Sequence, residues 1–344
     1  MVRALSLKTP GAAVTALPGN CSKIMDTATI TVAKLSESPL LRALSADLNT
    51  DLVDLHCHST ASDGILSPAQ LVSRAKCQGV TLMALTDHDT VDGVAQAQEA
   101  GDQLGITVLA GIEFSSLWGR RSIHIVGLNV DLTSQELRNA ISLREGLRLE
   151  RAERIAERLH KRGFIGALEG GRAVAGESVL GRPHFARWLV EAGHVEDTAR
   201  AFKRYLGAGK VGDVKVEWPQ MVETIETIHA AGGSAVLAHP LKYGFTRTQL
   251  VRLLGEFSRC GGDAIELLCG RQNPTQTKEL RSLMSSVTTE LNGPQLRCSL
   301  GSDFHQPDQP WRELGCVRLP EDVEPVWNLW HTLHRDRPGH AMTA

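Results

Sequence analysis

Val53-Asp54-Leu55-His56-Cys57-His58-Ser59-Thr60-Ala61-Ser62-Asp63-Gly64 is the stretch around which the chain is organised. It reads as a short buried strand that ends in ligands. Side chains alternate along a strand, so His56 and His58 project from one side and Cys57 from the other. Two imidazoles fixed two residues apart form a pincer for a transition metal. Asp63 follows in a turn marked by Gly64, which permits backbone shapes that other residues resist. Taken alone, the His-x-His pair fits two hydrogen-bonded histidines equally well. The rest of the chain decides.

From residue 51 onward apolar and helix-like runs alternate. Strand-like runs are Leu52–Leu55, Val80–Leu85, Ile106–Leu109 and Ile123–Leu128, with helix-like segments at Pro68–Gln78 and Val91–Leu104 between them. Ser67 before Pro68 is a cap with proline at the first helical position. Alternation of this kind implies parallel strands with helices outside. The pattern breaks after Leu128. Residues 132–225 are mostly helical, and Leu143 to Leu159 carries Arg and Glu at three- and four-residue spacing, which reads as a solvated helix face. This block is expected to be an inserted helical domain. Strand-like runs resume at Ser234–Ala238, Ala264–Leu268 and Cys298–Leu300, with helices near 249–259 and 275–287. About seven strands in this order suggest a (β/α) barrel built from residues 51–131 and 226–335, and such barrels carry their reactive groups at the C-terminal ends of the strands. Residues 1–48 show little periodicity and are expected to be a flexible extension without chemistry.

Composition narrows the function. At 344 residues the chain can bury a large core. Its 37 basic and 39 acidic residues, net charge -2, argue against a protein that coats long nucleic acid. An aromatic content of 4% leaves few stacking platforms for bases. Seven cysteines without a Cys-x-x-Cys pair favour reduced thiols in a cytoplasm. No apolar run approaches the ~20 residues of a membrane span, and no signal peptide is apparent. The expectation is a cytoplasmic protein that binds no membrane and has no obligate protein partner.

The strand-end rule can be tested on the ligands. The first strand ends in His56 and His58, the second in Thr86-Asp87-His88-Asp89, the third in Gly111-Ile112-Glu113. The fourth carries His124, the fifth ends in Ala238-His239-Pro240, and the last in Gly301-Ser302-Asp303-Phe304-His305. Each residue has a bland alternative: His124 a core histidine, His239 a strand terminator, Glu113 a turn cap, Asp63 an Asx turn. Random placement of thirteen histidines would not readily deliver a His, Asp or Glu at nearly every strand. Nine ligands without cysteine (His56, His58, Asp63, His88, Glu113, His124, His239, Asp303 and His305) suit Mn, Fe or Zn in a multinuclear site rather than a closed structural zinc site.

Asp-Leu-His-Cys-His-Ser-Thr-Ala-Ser-Asp-Gly, Leu-Thr-Asp-His-Asp-Thr, Gly-Ile-Glu-Phe-Ser, His-Ile-Val-Gly-Leu, Ala-His-Pro and Gly-Ser-Asp-Phe-His resemble the signature motifs of the PHP (polymerase and histidinol phosphatase) superfamily over about residues 52–330. The resemblance implies a phosphoesterase on a distorted seven-stranded (β/α)7 barrel with a trinuclear metal centre. Gly181-Arg182-Pro183-His184-Phe185-Ala186, Phe202-Lys203-Arg204-Tyr205-Leu206-Gly207, Gly209-Lys210, Gly261-Gly262-Asp263-Ala264-Ile265-Glu266 and Pro310-Trp311 are similar to the branch that hydrolyses 3′,5′-nucleoside bisphosphates and trims short RNAs from the 5′ end. Where that branch tends to show Gly-Lys-Pro-x-Tyr-Val-Pro, this chain has Gly209-Lys210-Val211-Gly212-Asp213-Val214-Lys215 and lacks the aromatic.

Carried over position by position, the resemblance implies three divalent cations, manganese foremost. His56, His58, Glu113 and Asp303 would hold the first. Glu113 would bridge to a second, held also by His124 and His239, and Asp63, His88 and His305 would hold the third. The expected chemistry is in-line attack on phosphorus by a metal-bridging hydroxide, with His305, Asp87 or a metal-bound water protonating the leaving group. A second substrate phosphate needs cations beyond the metals; Arg182 is the leading candidate, because a guanidinium clamps phosphate bidentately, with His184, Lys210 and Lys242 behind it. Two competing expectations are a phosphatase for another small phosphomonoester, such as histidinol phosphate, and a non-catalytic metal-binding module.

Overall fold

A computed structural model describes residues 52–290 and 295–330, with residues 288–290 by backbone alone. The expected extension at 1–48 lies outside the described residues. Seven strands form one sheet in chain order: β1 (Leu52–Cys57), β2 (Val80–Leu85), β3 (Thr107–Trp118), β4 (Arg121–Leu128), β5 (Ser234–Leu237), β6 (Ala264–Cys269) and β7 (Arg297–Gly301). Beyond β7 the chain returns to β1: Asp303 N donates to His56 O at 2.8 Å, and His58 N donates to Phe304 O at 2.9 Å. The sheet therefore nearly closes into a barrel. Its strands are buried on both faces, which explains their continuous apolar runs.

Helices cover the outside. Helix α1 (Pro68–Cys77) starts at a Ser67/Gln70 capping box with Pro68 in its first turn, as the sequence indicates. Helix α2 (Val94–Leu104) follows β2. Further along, the strands β5, β6 and β7 alternate with α8 (Arg247–Arg259) and α9 (Pro274–Glu290). Helix α8 buries Leu250, Leu253, Leu254 and Phe257, a stripe at three- and four-residue spacing.

The expectation of uniformly parallel strands fails at β4, which runs antiparallel to both β3 and β5. Gly119 and Arg120 alone separate β3 from β4, and Gly119 has φ +61°. So short a loop joins antiparallel strands; a parallel pair needs a crossover of a dozen residues or more. The same hairpin extends β3 well beyond the expected Ile106–Leu109 and places Glu113 in mid-strand instead of at a strand end.

Between β4 and β5 lie α3 (Gln135–His160), α4 (Ala167–Ala175), α5 (Arg182–Glu191), the single turn α6 (Thr198–Ala201) continuing into a π-helical turn at Phe202–Leu206, and α7 (Met221–Ala230). Ala152, Ile155, Leu159, Phe185, Leu189 and Leu206 belong to an apolar cluster separate from those of the barrel. The ends of the helical segment differ from the expected limits of 132 and 225. Leu137 at the start of α3, and Met221, Ile225 and Ile228 on α7, pack into the barrel's largest cluster.

The solvated face expected for Leu143–Leu159 is half right. Glu150–Arg154 is an exposed i,i+4 pair on α3. Arg144 and Arg148, however, are 1% and 9% exposed, because Asp89 on the barrel supplies a buried countercharge. Among the described residues no helix is long and apolar enough to cross a membrane. Cys57, Cys260, Cys269, Cys298 and Cys316 are free; Cys77 is disulfide-bonded, the exception to the expected reduced thiols.

Candidate metal centre

The nine residues singled out in the sequence meet at one end of the barrel. Their donor atoms fall into four overlapping groups, with the atoms of each within 4.8 Å of one another. His58, Asp63, His88 and His305 form one; His56, Glu113 and His239 another; His56, His58 and Asp303 a third; His88, Glu113 and His124 the last. The expected partition put His124 and His239 together. Both do approach one oxygen, with His124 Nδ1 and His239 Nε2 each 2.9 Å from Glu113 Oε1, but each groups with a different third residue.

Local backbone geometry aims these side chains. His56 and His58 share the inward face of β1, and their Nε2 atoms lie 3.1 Å apart. Gly301 on β7 has no side chain because a Cβ there would stand 2.3 Å from the His56 Cβ. Gly64, the turn glycine after Asp63, would likewise drive a Cβ to 2.4 Å from the His58 carbonyl oxygen. Asp89, His239 and Asp303 all adopt left-handed φ, at +55°, +30° and +54°. Three such residues within or beside one cluster are local strain held by the surrounding fold, a pattern concentrated at functional sites.

Several buried polar atoms here lack partners. His58 Nδ1, His88 Nδ1, Glu113 Oε2 and His239 Nδ1 are buried without a hydrogen bond. Glu113 Oε2 has His88 Nδ1 at 2.9 Å and the Nε2 atoms of His56 and His58 at 3.3 Å, close approaches without hydrogen-bond alignment. An orphaned buried polar atom costs about 1–3 kcal/mol, so four in one cluster call for a partner. Six imidazoles and three carboxylates without a thiolate fit divalent transition metals of intermediate hardness.

Charge supports the same fit. Burial opposes protonation of His56, but Glu266 and Glu113 override it and hold the imidazole well above its ordinary value. His58 rises to about 10, where Asp303 and Glu113 outweigh the effect of burial. Burial pushes His88 and His239 down. Burial also disfavours the ionised carboxylates, yet His88 and His56 keep Glu113 well below the usual range, Lys242 does so for Asp303, and His305 for Asp63. Three ionised carboxylates thus share one buried cluster, negative charge that bound divalent cations would balance.

Around the ligands lies a supporting set that the sequence reading missed. Glu266 Oε1 is 2.8 Å from His56 Nδ1, and its Oε2 accepts from His239 N at 2.6 Å. With its Nδ1–H given to Glu266, His56 would present the lone pair of Nε2 to a bound cation, the arrangement that orients metal-binding histidines. Asp54 accepts from Ser302 N and Gly315 N, both at 2.9 Å, and burial pushes it up to about 6. Asp303 is held by Lys242 Nζ at 2.5 Å and by Arg312 at 3.2 Å. The available signal was a charged residue inside an apolar run: Glu266 in Ala264-Ile265-Glu266-Leu267-Leu268, Asp54 in Val53-Asp54-Leu55.

The remaining expected residues are scattered. Asp87 is outside the four groups; its carboxylate accepts from Ser59 N at 2.8 Å, Ser59 Oγ at 2.7 Å and Ser62 Oγ at 2.6 Å, and so braces the ligand loop. Lys242 is at the cluster, through Asp303. His184 is buried in the helical segment, where its Nδ1 accepts from Gly181 N at 2.9 Å and caps α5. Burial and the Arg187 guanidinium push it down to about 4. Arg182 is half-buried at the first turn of α5, with a 3.4 Å bond to Leu206 O. Lys210 is exposed, and its amine has no ion pair among the described residues.

The PHP domain profile matches residues 54–167. A 5′-3′ exoribonuclease of Haemophilus influenzae is 45% identical over 280 residues, covering 81% of this chain and 98% of the relative. A 3′,5′-nucleoside bisphosphate phosphatase of Chromobacterium violaceum is 38% identical over 278 residues, covering 80% of this chain and 95% of the relative. Among solved structures, an amidohydrolase of Chromobacterium violaceum with bound sulfate and no metal superposes with a TM-score of 0.73 at 35% identity, covering 82% of this chain and 96% of the other.

Proposed function

Because the chain belongs to the PHP family, we propose that it is a metal-dependent phosphoesterase that hydrolyses 3′,5′-nucleoside bisphosphates and trims short 5′-phosphorylated RNAs from the 5′ end. The single observation that carries the reading is the convergence of nine His, Asp and Glu side chains around buried atoms that lack partners. Nucleotide substrates follow from the names of the two relatives, each matched over about four-fifths of this chain. A cytoplasmic location belongs to the same reading, supported by five free cysteines.

His56, His58, Asp63, His88, Glu113, His124, His239, Asp303 and His305 would hold the cations, three in number and manganese by preference. Bound there, divalent cations supply Lewis acidity, activating water and offsetting the charge that builds on phosphoryl oxygens. The protein's own part is to fix the ligands. Glu266 sets the tautomer of His56, and Lys242 and Arg312 orient Asp303. His305 Nδ1 donates to the Asp303 carbonyl at 2.9 Å, and its Nε2 lies 3.3 Å from Asp63 Oδ1. Asp87 is committed to Ser59 and Ser62.

The test is purified protein with added manganese, given adenosine 3′,5′-bisphosphate and a short 5′-phosphorylated RNA, with phosphate and mononucleotide release followed separately. Phosphate from the bisphosphate together with stepwise mononucleotides from RNA is the expected result. Turnover of histidinol phosphate, with silence on both nucleotides, would discard the substrate assignment.

A further inference from the structure

The loops that follow β6 and β7 border the Asp303 flank of the candidate metal centre, and they carry a residue singled out in the sequence that the centre leaves unused. Trp311 sits in the single turn Pro310–Arg312 beyond β7 and is 54% exposed. The other five tryptophans all lie among the described residues and are buried or half-buried. Trp118 Nε1 donates to Glu256 at 2.5 Å and Trp330 Nε1 to Ser234 Oγ at 3.2 Å, while Trp188 packs on the apolar cluster of the helical segment. Among the described residues the Trp311 indole has no hydrogen bond, ring contact or cation over its face.

The backbone beneath that indole is pinned. Trp311 O accepts from Arg271 N at 2.7 Å, which ties the turn to the end of β6. Gly270 permits the close approach: it has φ +63°, and a Cβ there would stand 2.9 Å from Trp311 O. Arg312 N donates to Gln309 O at 2.8 Å, and Arg312 Nη1 lies 3.2 Å from Asp303 Oδ2. A fixed turn therefore holds an exposed ring one residue away from a group on a candidate ligand. Positive charge gathers around it. Lys242 also faces Asp303 Oδ2, and the exposed Arg271 side chain has no ion pair or hydrogen bond among the described residues. The acids of the same loop are engaged elsewhere, Asp308 by Gln306 and Glu313 by Arg74. The helical segment reaches the cluster on other residues, through Arg148 on Asp89 and Arg187 on the Asp63 carbonyl. The Asp303 flank stays accessible, with the side chains of Lys242 and Arg312 35% and 28% exposed. A rigid exposed aromatic beside a cation without a countercharge is how proteins hold single strands, with the base on the ring and the phosphate on the guanidinium.

We propose that Trp311 is the stacking platform for the first base downstream of the scissile phosphate in a short RNA, and that Arg271 holds the phosphate after that base. The platform rests on the RNA-trimming half of the function proposed above and extends it by naming what separates the two substrates. A nucleoside bisphosphate ends at the scissile phosphate and does not reach Trp311, whereas an RNA continues across it. One platform, in a chain with 4% aromatic residues, suits a short strand better than a long bound tract. Stacking uses the face of a base and not its edges, so the platform accepts any of the four.

The experiment compares manganese-loaded wild type with Trp311→Ala, Trp311→Phe and Arg271→Met. The substrates are adenosine 3′,5′-bisphosphate, a 5′-phosphorylated dinucleotide and trinucleotide, and the same dinucleotide with an abasic second ribose. Both side chains are exposed, so neither substitution empties a buried site. Trp311→Ala is expected to lower the dinucleotide-to-bisphosphate ratio of kcat/KM about 5- to 150-fold, mainly through KM, the scale of losing one base–aromatic stack. Trp311→Phe, which keeps a smaller ring, should fall between. On the abasic dinucleotide the gap between wild type and Trp311→Ala should close, because no base is left to stack. Arg271→Met should lower the trinucleotide-to-dinucleotide ratio, since only the longer strand carries the phosphate that Arg271 holds, and should flatten the salt dependence of log KM on the trinucleotide by about 0.7. An unchanged dinucleotide-to-bisphosphate ratio in Trp311→Ala, or a gap that persists on the abasic strand, would overturn the platform and leave the phosphoesterase reading standing. A wild type that turns over the bisphosphate and neither RNA would overturn the platform together with RNA trimming. A wild type silent on every substrate would overturn the whole proposed function.

Discussion

Glu266 carries the most exposed prediction, because one carboxylate holds two candidate ligands from different strands. Its Oε1 faces His56 Nδ1 at 2.8 Å and its Oε2 faces His239 N at 2.6 Å. Both partners must donate. Glu266→Gln keeps the volume and removes one acceptor. If the new amide faces His56, the imidazole changes tautomer and turns an N–H toward the cluster, where a lone pair is needed. If it faces His239, two N–H groups meet at hydrogen-bonding distance. Either way one bond to a charged acceptor is lost, worth about 1.5–3 kcal/mol, or roughly 10- to 150-fold in an equilibrium constant. Loss of a carboxylate behind a metal-bound histidine typically weakens metal affinity by about 10- to 100-fold. The assay is manganese affinity by chelator competition, followed by turnover over a metal titration. Affinity should fall by that factor, with activity partly restored at high metal. Wild-type affinity and turnover in Glu266→Gln would refute the reasoning, since neither hydrogen bond would then be setting the ligand geometry.

Two further predictions concern stability. Asp89→Asn leaves Arg144 and Arg148 buried without a countercharge and should destabilise the protein by about 3–5 kcal/mol in urea titrations; a loss below about 1 kcal/mol would mean that solvent reaches those guanidiniums. His184 has a folded pKa of about 4, well below its unfolded value of about 6.5, so the folded protein keeps the imidazole neutral where the unfolded chain protonates it. Its stabilising contribution is then whole above pH 6.5, falls as pH drops through the window and is gone below about 4, a span of about 3 kcal/mol. A glutamine in its place would retain the cap on Gly181 without titrating, so His184→Gln should lose about 2–3 kcal/mol less than wild type between pH 7 and pH 4.5. Identical acid sensitivity of the two proteins in urea titrations would remove His184 from that balance.

What was legible in the sequence follows the range of the interactions. The first strand and the Ser67 cap are set within a few residues by side-chain alternation and capping chemistry; the structure has the cap as read, extends the strand from the expected Leu52–Leu55 to Leu52–Cys57, and places the His56 and His58 Nε2 atoms 3.1 Å apart. The β3–β4 hairpin was misread although its turn is local, because the alternation of the first three strands outweighed a two-residue Gly119-Arg120 connection. Glu113 was expected at a strand end and His124 within a strand-like run. In the structure both lie in mid-strand, diagonal neighbours two positions out of register across the hairpin, with a Glu113 carboxylate oxygen 2.9 Å from His124 Nδ1.

The residues that escaped are those whose meaning depends on a partner far along the chain. Glu266 looks like a stray charge in an apolar strand until His56, 210 positions away, is set beside it. Arg148 and Arg154 read alike on α3, since both are arginines in an Arg/Glu-spaced helix. One reaches Asp89 across the seam and is buried; the other meets Glu150 one turn away in solvent. Periodicity sets the two about 120° apart around the helix, but it does not record what lies opposite either face. A candidate ligand can be picked out locally here, and its orientation cannot. A histidine can be recognised from its strand, but the carboxylate that fixes its tautomer arrives from another strand.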